Sequence, residues 1–112
     1  MTEKTSIAIG VDQNGQVWDG HFGMSPHYYI YNRSGKLVEK RLNPYGAAAN
    51  KQKHHHNPVL IVDLLSECGI FIARRMGDKN KQLIVEKMGV IPFITTEKDR
   101  TAALQACLNG LA

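Results

Sequence analysis

The residue types best suited to binding chemistry lie in one short segment, the His21 loop (residues 19–27). It reads Asp-Gly-His-Phe-Gly-Met-Ser-Pro-His, so His21 and His27 flank a turn that contains glycine and proline. Imidazole groups ligate transition metals, and glycine lets the backbone adopt a positive φ or approach a bound group closely. A tight connection between two strands, with an incidental histidine, is the competing interpretation.

Three consecutive histidines form a second group of imidazoles. They precede Pro58, which together with Asn57 reads as the beginning of a helix. Three consecutive side chains of a regular element cannot all face one ion, but a loop can present two of them to nickel, copper, zinc or iron. A solvated loop is the alternative. The candidate metal ligands are therefore His21, His27, His54, His55 and His56.

A third candidate segment is the arginine turn (residues 74–77), which reads Arg74, Arg75, Met76, Gly77. It follows an apolar strand and precedes a predicted helix. Arginine side chains and the N-terminal amides of a helix both hold anions, and Gly77 permits close approach. We therefore expect this turn to hold the anionic part of a ligand.

Length and composition predict one domain spanning residues 1–112. The chain has 112 residues, of which 43% are hydrophobic, so it can form a core without disulfide bonds. Cys68 and Cys107 are far apart and form no metal-binding motif, which favours a reduced, cytoplasmic setting. The polar first residues predict no signal peptide, and no apolar run reaches the roughly 18–20 residues that span a membrane.

The formal net charge is +4, and basic residues cluster at 33–56 and again at 74–81. Such a field favours anionic partners, including nucleic acid, phosphates or an anionic metal cluster. For a net charge of this size, a solvated, solubilising surface is the better explanation of most of these charges.

Hydrophobic patterning predicts a mixed sheet with helices on its faces. The first half reads as four short strands, at 6–11, 16–18, 27–32 and 36–42. The second half reads as a helix at 59–68 ended by Gly69, a strand at 70–73, a helix at 78–88, a strand at 90–94 and a final helix. Strand–helix–strand units imply parallel pairing, and ligands favour the carboxyl ends of parallel strands.

The order of these segments carries a family resemblance. The features are an apolar strand at 7–9, the stretch His21-Phe22-Gly23, the segment 25–31, the histidines before Pro58, Met76-Gly77, and a final alanine-rich helix. In this order they resemble the dinitrogenase iron–molybdenum cofactor biosynthesis family, which includes NifX-like proteins and the C-terminal domain of NifB. The resemblance extends over residues 7–108, and His-Phe-Gly is its most specific part.

The resemblance implies a ribonuclease H-like three-layer α/β fold, with a mixed sheet of about five strands and about three helices. It also implies a carrier for an iron–molybdenum or other iron–sulfur-type cluster, in cofactor assembly, storage or delivery related to nitrogen fixation, with cluster-assembly proteins as partners. The matching positions are His21, Phe22, Gly23, Met76 and Gly77. Arg74 and Arg75 stand where the family often has small residues, and this departure either strengthens anion binding or indicates a different ligand.

Other function classes fit less well. A regulatory or protein-interaction domain that binds a simple anion or divalent metal, with no cluster, is the main alternative. We expect no enzyme, because the carboxylates that a metal-dependent nuclease would need are predicted in separate elements. Nucleic acid is not expected, since the tyrosines at 28–31 alternate as in a strand rather than forming a stacking platform. The carboxylates in question are Asp12, Glu39, Asp63 and Asp99.

Overall fold

The computed structural model describes residues 5–45 and 58–111. The described part contains five strands, three α-helices and a short 3-10 helix (Phe22–Met24) inside the His21 loop. The strands are β1 (Ser6–Val11), β2 (His27–Tyr31), β3 (Leu37–Leu42), β4 (Cys68–Ala73) and β5 (Ile91–Ile94). The helices are α1 (Pro58–Leu64), α2 (Asp78–Met88) and α3 (Arg100–Leu111).

The strands form one sheet in the order β3-β2-β1-β4-β5. β1 pairs antiparallel with β2, and β2 pairs antiparallel with β3. β4 lies parallel to β1 on its other side, and β5 lies parallel to β4. The predicted α/β class, with a mixed sheet of five strands and three helices, is confirmed.

Two hydrophobic cores lie on opposite faces of the sheet. One contains Ile61 of α1 and Ile84 of α2, packed against Phe71 of β4. The other contains α3 residues packed against strand residues such as Ile9 and Ile72. The fold therefore has three layers, and we call its two sides the α1/α2 face and the α3 face.

Two predicted elements are wrong in detail. Helix α1 ends at Leu64, and Cys68 begins β4 instead of ending the helix. After α1 the chain makes a turn in which the Cys68 N–H donates to the Leu65 carbonyl. Leu65 and Cys68 are three positions apart, as on one face of a helix, but Cys68 pairs with Ser6 of β1 as a strand residue. The predicted strand at 16–18 is reduced to one antiparallel bridge between Val17 and Val11.

Gly15 has a φ of +80° in the turn before this bridge, a conformation that glycine adopts without strain. The histidines His54, His55 and His56 lie outside the described residues. No helix in the described ranges is long and apolar enough to cross a membrane.

Candidate functional site

The His21 loop and the arginine turn meet at one edge of the sheet. His21 forms an isolated parallel bridge with Arg75, and the Phe22 N–H donates to the Arg75 carbonyl at 3.0 Å. This contact arises because β1 and β4 are parallel neighbours, so the segments beyond their carboxyl ends lie side by side. The side chains of His21 and Arg75 are both exposed at this edge.

Phe22 and Met76 hold the two segments of the site against the core of the α1/α2 face. Phe22 is 3% exposed, and its ring stacks on Phe71 with centroids 4.6 Å apart and lies 4.9 Å from the ring of Tyr28. Met76 is half-buried against the same core. Both side chains therefore fix their segments to the α1/α2 face, while the neighbouring residues His21 and Arg75 are exposed.

A buried set of polar side chains holds the His21 loop, and we call it the loop-support cluster (Ser25, Tyr28 and Asn43). The hydroxyls of Ser25 and Tyr28 both donate to the Phe22 carbonyl, at 2.8 and 2.7 Å. The Asn43 side-chain amide donates to the carbonyls of Gly23 and Ser25, at 3.0 and 2.8 Å. Burial raises the pKa of Tyr28 well above its ordinary value, so its hydroxyl remains a donor.

The two arginines of the arginine turn have different surroundings. Arg74 Nη1 lies 3.1 Å from Asp19 Oδ1 of the His21 loop, and the Arg74 side chain is 22% exposed. This ion pair joins the loop and the turn a second time and neutralises Arg74. Within the described residues, no ion pair forms at the exposed Arg75, so Arg75 supplies the positive charge at this edge.

Helix α2 begins directly after the arginine turn. Gly77 is its N-cap residue, with extended φ and ψ of −60° and 144°, and no side chain caps the helix there. The first-turn amides therefore face outward with the positive end of the helix dipole. Asp78 in the first turn already complements that dipole in part, and Lys81 lies 3.5 Å from its carboxylate.

The candidate metal ligands are not gathered by the described residues. His27 pairs with Val11 in the sheet, and strand alternation places it on the α3 face, opposite to its neighbour Tyr28. Across residues 5–45 and 58–111, no group of three histidine, cysteine, aspartate or glutamate side chains could hold a metal ion. His54, His55 and His56 lie in the segment that the structure does not describe.

Both cysteines are unsuited to ligation in this fold. Cys68 is fully buried and Cys107 is 2% exposed. Burial raises the pKa of the Cys68 thiol to about 12, and it also raises the pKa of Cys107. Neither thiol is therefore available as a thiolate at neutral pH.

Comparison with known families decides the identity of the chain. The family model described as dinitrogenase iron-molybdenum cofactor matches residues 4–110. The chain belongs to the dinitrogenase iron–molybdenum cofactor family. Members of this family take part in biosynthesis or binding of that cofactor, generally as carriers or scaffolds. No curated protein matches the sequence significantly.

Two solved structures share this fold with the chain at low sequence identity. The apo form of the orange protein from Desulfovibrio gigas aligns with a TM-score of 0.70 at 19% identity, over 98% of this chain and 92% of that one. A NifB-like protein from Thermotoga, assigned to the DUF35 family, aligns with a TM-score of 0.69 at 22% identity, over 95% of this chain and 89% of that one. At these identities the likeness shows the fold alone.

In this member of the dinitrogenase iron–molybdenum cofactor family, the arrangement at the sheet edge suits an anionic ligand. It offers an exposed imidazole on His21, an exposed guanidinium on Arg75 and the amides that begin α2. The sequence predicted His21, Arg75 and Gly77 for this edge. It missed Ser25, whose hydroxyl donates within its own turn to the Phe22 carbonyl. It also missed Asn43, which has no local signal because its hydrogen bonds reach residues brought close by the β2–β3 pairing.

Proposed function

We propose that this protein is a non-enzymatic carrier for an iron–molybdenum or other metal–sulfur cluster, which it holds between the His21 loop and the arginine turn. The observation that carries the proposal is the backbone pairing of His21 with Arg75 in a chain of this family. The cluster is cargo to be assembled, stored or delivered, and the partners are cluster-assembly proteins.

Charge supports the binding of such a cargo. A metal–sulfur cluster presents anionic sulfides at its periphery and metal atoms with open coordination positions. Arg75 and the amides at the beginning of α2 suit the sulfides, and the His21 imidazole suits a metal atom. The ion pair between Arg74 and Asp19 leaves Arg75 as the principal charge, since the Arg74 charge is already neutralised.

The donor set supports carriage rather than permanent residence. Stable iron–sulfur sites use about four thiolates, and both thiols of this chain are buried. One imidazole combined with electrostatic contacts holds a cluster reversibly, because a charge contact exchanges with water more readily than a thiolate bond breaks. Reversible binding is what delivery to another protein requires.

A second candidate function is a regulatory or protein-interaction domain that binds a simple anion or a divalent metal at the same edge. Among the described residues no group of three ligands could hold a metal ion, which favours the simple anion within this alternative. In this case the site binds phosphate or molybdate by charge and takes up no sulfide.

Anaerobic reconstitution with iron, sulfide and molybdate tests the proposal, followed by desalting, visible absorption and analysis of retained metal and sulfide. We expect stoichiometric retention in the native protein and its loss in His21→Ala. Arg75→Ala should weaken retention less, because it removes one long-range charge contact.

Arg33→Ala is the matched control. Arg33 is exposed in the turn at the opposite end of the sheet, where its Nε donates to the Thr5 carbonyl. The substitution Arg33→Ala removes the same charge as Arg75→Ala but lies away from the site. The variant should therefore retain as much metal and sulfide as the native protein. Retained metal without sulfide would replace the cluster by a plain metal site, and retention of neither in the native protein would overturn the proposal.

A further inference from the structure

Asn43 is a buried polar side chain with an unusual number of partners outside its own turn. It is 3% exposed and lies just beyond the end of β3. Its Nδ2 donates to the carbonyls of Gly23 and Ser25 and lies 3.2 Å from the Tyr28 hydroxyl, while its Oδ1 accepts from the Tyr45 N–H at 2.9 Å. Every hydrogen-bonding group of the side chain is therefore used.

These bonds constrain the part of the His21 loop that turns the chain. The 3-10 helix has only two short-range backbone bonds of its own, from Met24 N–H to the His21 carbonyl and from Ser25 N–H to the Phe22 carbonyl. A 3-10 turn is weakly held by such bonds, since their geometry is poor. The Asn43 amide supplies further bonds to the Gly23 carbonyl inside the 3-10 helix, where the bond is part-buried, and to the Ser25 carbonyl directly after it, where the bond is buried.

Phe22 transmits this constraint to the candidate site. Its carbonyl accepts the hydroxyls of Ser25 and Tyr28 on the inner side of the loop. Its N–H donates to the Arg75 carbonyl on the outer side, and this bond sets the register between the loop and the arginine turn. A shift of the loop away from Asn43 therefore shifts His21 relative to Arg75.

We propose that Asn43 is a positioning residue of the site, whose side-chain amide fixes the curvature of the His21 loop and so keeps His21 in register with Arg75. The inference rests on the proposed function, and it adds that affinity for the cluster depends on a residue that does not touch it. An apolar side chain at this position would leave the Ser25 carbonyl buried without this donor and would remove the donor of the part-buried Gly23 carbonyl.

Asn43→Asp is the sharpest test, because it preserves the shape of the side chain and replaces the donating amine by an oxygen that repels the two carbonyls. Asn43→Ala serves as the second variant, and removes the amide without adding charge. Leu104→Ala is the control for lost stability alone, since Leu104 is 4% exposed in the core of the α3 face.

Two readouts separate positioning from stability. The first is amide hydrogen exchange at Phe22, measured relative to Trp18, whose N–H donates to the Gly10 carbonyl outside the turn. We expect relative protection of Phe22 to fall about tenfold in both Asn43 variants, as for the loss of one buried hydrogen bond, and to stay unchanged in Leu104→Ala. The second readout is retained metal and sulfide after anaerobic reconstitution, which should fall in the Asn43 variants only.

The outcomes distinguish this inference from the proposed function. Unchanged relative protection of Phe22, or a native level of retained cluster in a folded Asn43 variant, overturns the positioning role. If the native protein retains no cluster, the proposed function fails, and the exchange measurement still decides whether Asn43 holds the loop. Equal losses of cluster in Leu104→Ala and the Asn43 variants would reduce Asn43 to a stabilising residue.

Discussion

Two clusters of polar side chains lie along β2 and β3, and they differ in burial. The three residues of the loop-support cluster are each at most 3% exposed. The Arg41 cluster (Glu39, Arg41 and Glu67) lies at the surface, where the Arg41 Nη2 is 2.7 Å from a carboxylate oxygen of each glutamate. One cluster uses neutral hydrogen bonds in the core, and the other uses charged groups that are partly exposed to water.

Burial decides which kind of polar contact can define the shape of a binding site. A buried hydrogen bond has no water to replace its partner, so it permits one arrangement only. An exposed ion pair gains little over hydration and is screened by salt. The shape of the His21 loop should therefore depend on the loop-support cluster, and the Arg41 cluster should add stability without specifying the site.

Gly10→Ala should have the largest effect and break the buried arrangement directly. A Cβ at position 10 would overlap the Ser25 Oγ and lie 3.3 Å from the Phe22 ring. We expect a loss of about 1–3 kcal/mol in the free energy of unfolding, since overpacking a core forces side chains or backbone to shift. Urea denaturation followed by tryptophan fluorescence measures it.

The double variant Gly10→Ala/Ser25→Ala provides the matched control. Removing the hydroxyl that the new Cβ would meet should restore part of the stability, although Ser25→Ala alone costs its hydrogen bond to Phe22. The two changes should therefore be strongly non-additive. Simple additivity would mean that Ser25 does not press against Gly10.

Much of the fold could be predicted from the sequence because its signals are local. Apolar residues at 70–73 specify a strand covered on both faces, and glycines mark turns such as that at Gly35, where φ is +90°. The end of α1 could not be placed in this way. Leu65 and Cys68 have helical spacing in sequence, and only the pairing of β4 with β1 converts Cys68 into a strand residue.

The candidate site could be predicted only in outline. Parallel pairing of β1 and β4 brings the His21 loop to the arginine turn, and the strand–helix pattern indicates that edge of the sheet. The partners of Arg74 and Asn43 depend on residues far along the chain. Asp19 and Arg74 are 55 positions apart by their numbers, and no short-range pattern links them.

Arg41→Met should lower the free energy of unfolding less than Gly10→Ala does, because it changes the partly exposed cluster and not the buried one. The change removes both ion pairs and the bond from Nη1 to the Leu64 carbonyl at the end of α1. We expect the free energy of unfolding to fall by about 1 kcal/mol, as for partly exposed ion pairs. This difference from the native protein should be smaller at high salt, because salt screens the ion pairs. The midpoint of urea denaturation at two salt concentrations measures it.

Lys40→Met is the control for this variant. Lys40 is the neighbouring residue on the opposite side of β3, and its Nζ lies 5.2 Å from the centre of the Tyr29 ring. It removes the same charge and adds the same side chain without affecting Glu39 or Glu67. An equal, salt-independent loss in both variants would contradict the role of the ion pairs.

Acid should weaken the Arg41 cluster while leaving the loop-support cluster intact. Hydrogen bonds from Arg41 lower the pKa of Glu39 and of Glu67 below the ordinary value of 4.5. In the unfolded chain both carboxylates take up protons at a higher pH than in the folded protein. Their contribution to the stability of the fold is therefore present above about pH 4.5 and is lost as the pH falls through their lowered pKa values. The stability difference between native protein and Arg41→Met should therefore shrink below pH 4.5, and a constant difference would contradict the assignment.

Asp19→Asn should have the smallest effect on stability and the clearest effect on binding. The Asp19–Arg74 ion pair lies at the candidate site. Its Asp19 side chain is 75% exposed, and its Arg74 side chain is 22% exposed. Breaking it should cost less than about 1 kcal/mol in stability. It should also release a second guanidinium for the anionic cargo, so that the cluster is lost more slowly during desalting than from the native protein and its binding becomes more sensitive to salt. Asp63→Asn, which removes an exposed carboxylate from α1, controls for net charge and should change neither property. If Asp19→Asn lowers retention of the cluster instead, the ion pair fixes the loop against the turn, as the loop-support cluster does. In that case burial alone does not distinguish the contacts that position the site from those that exchange with water.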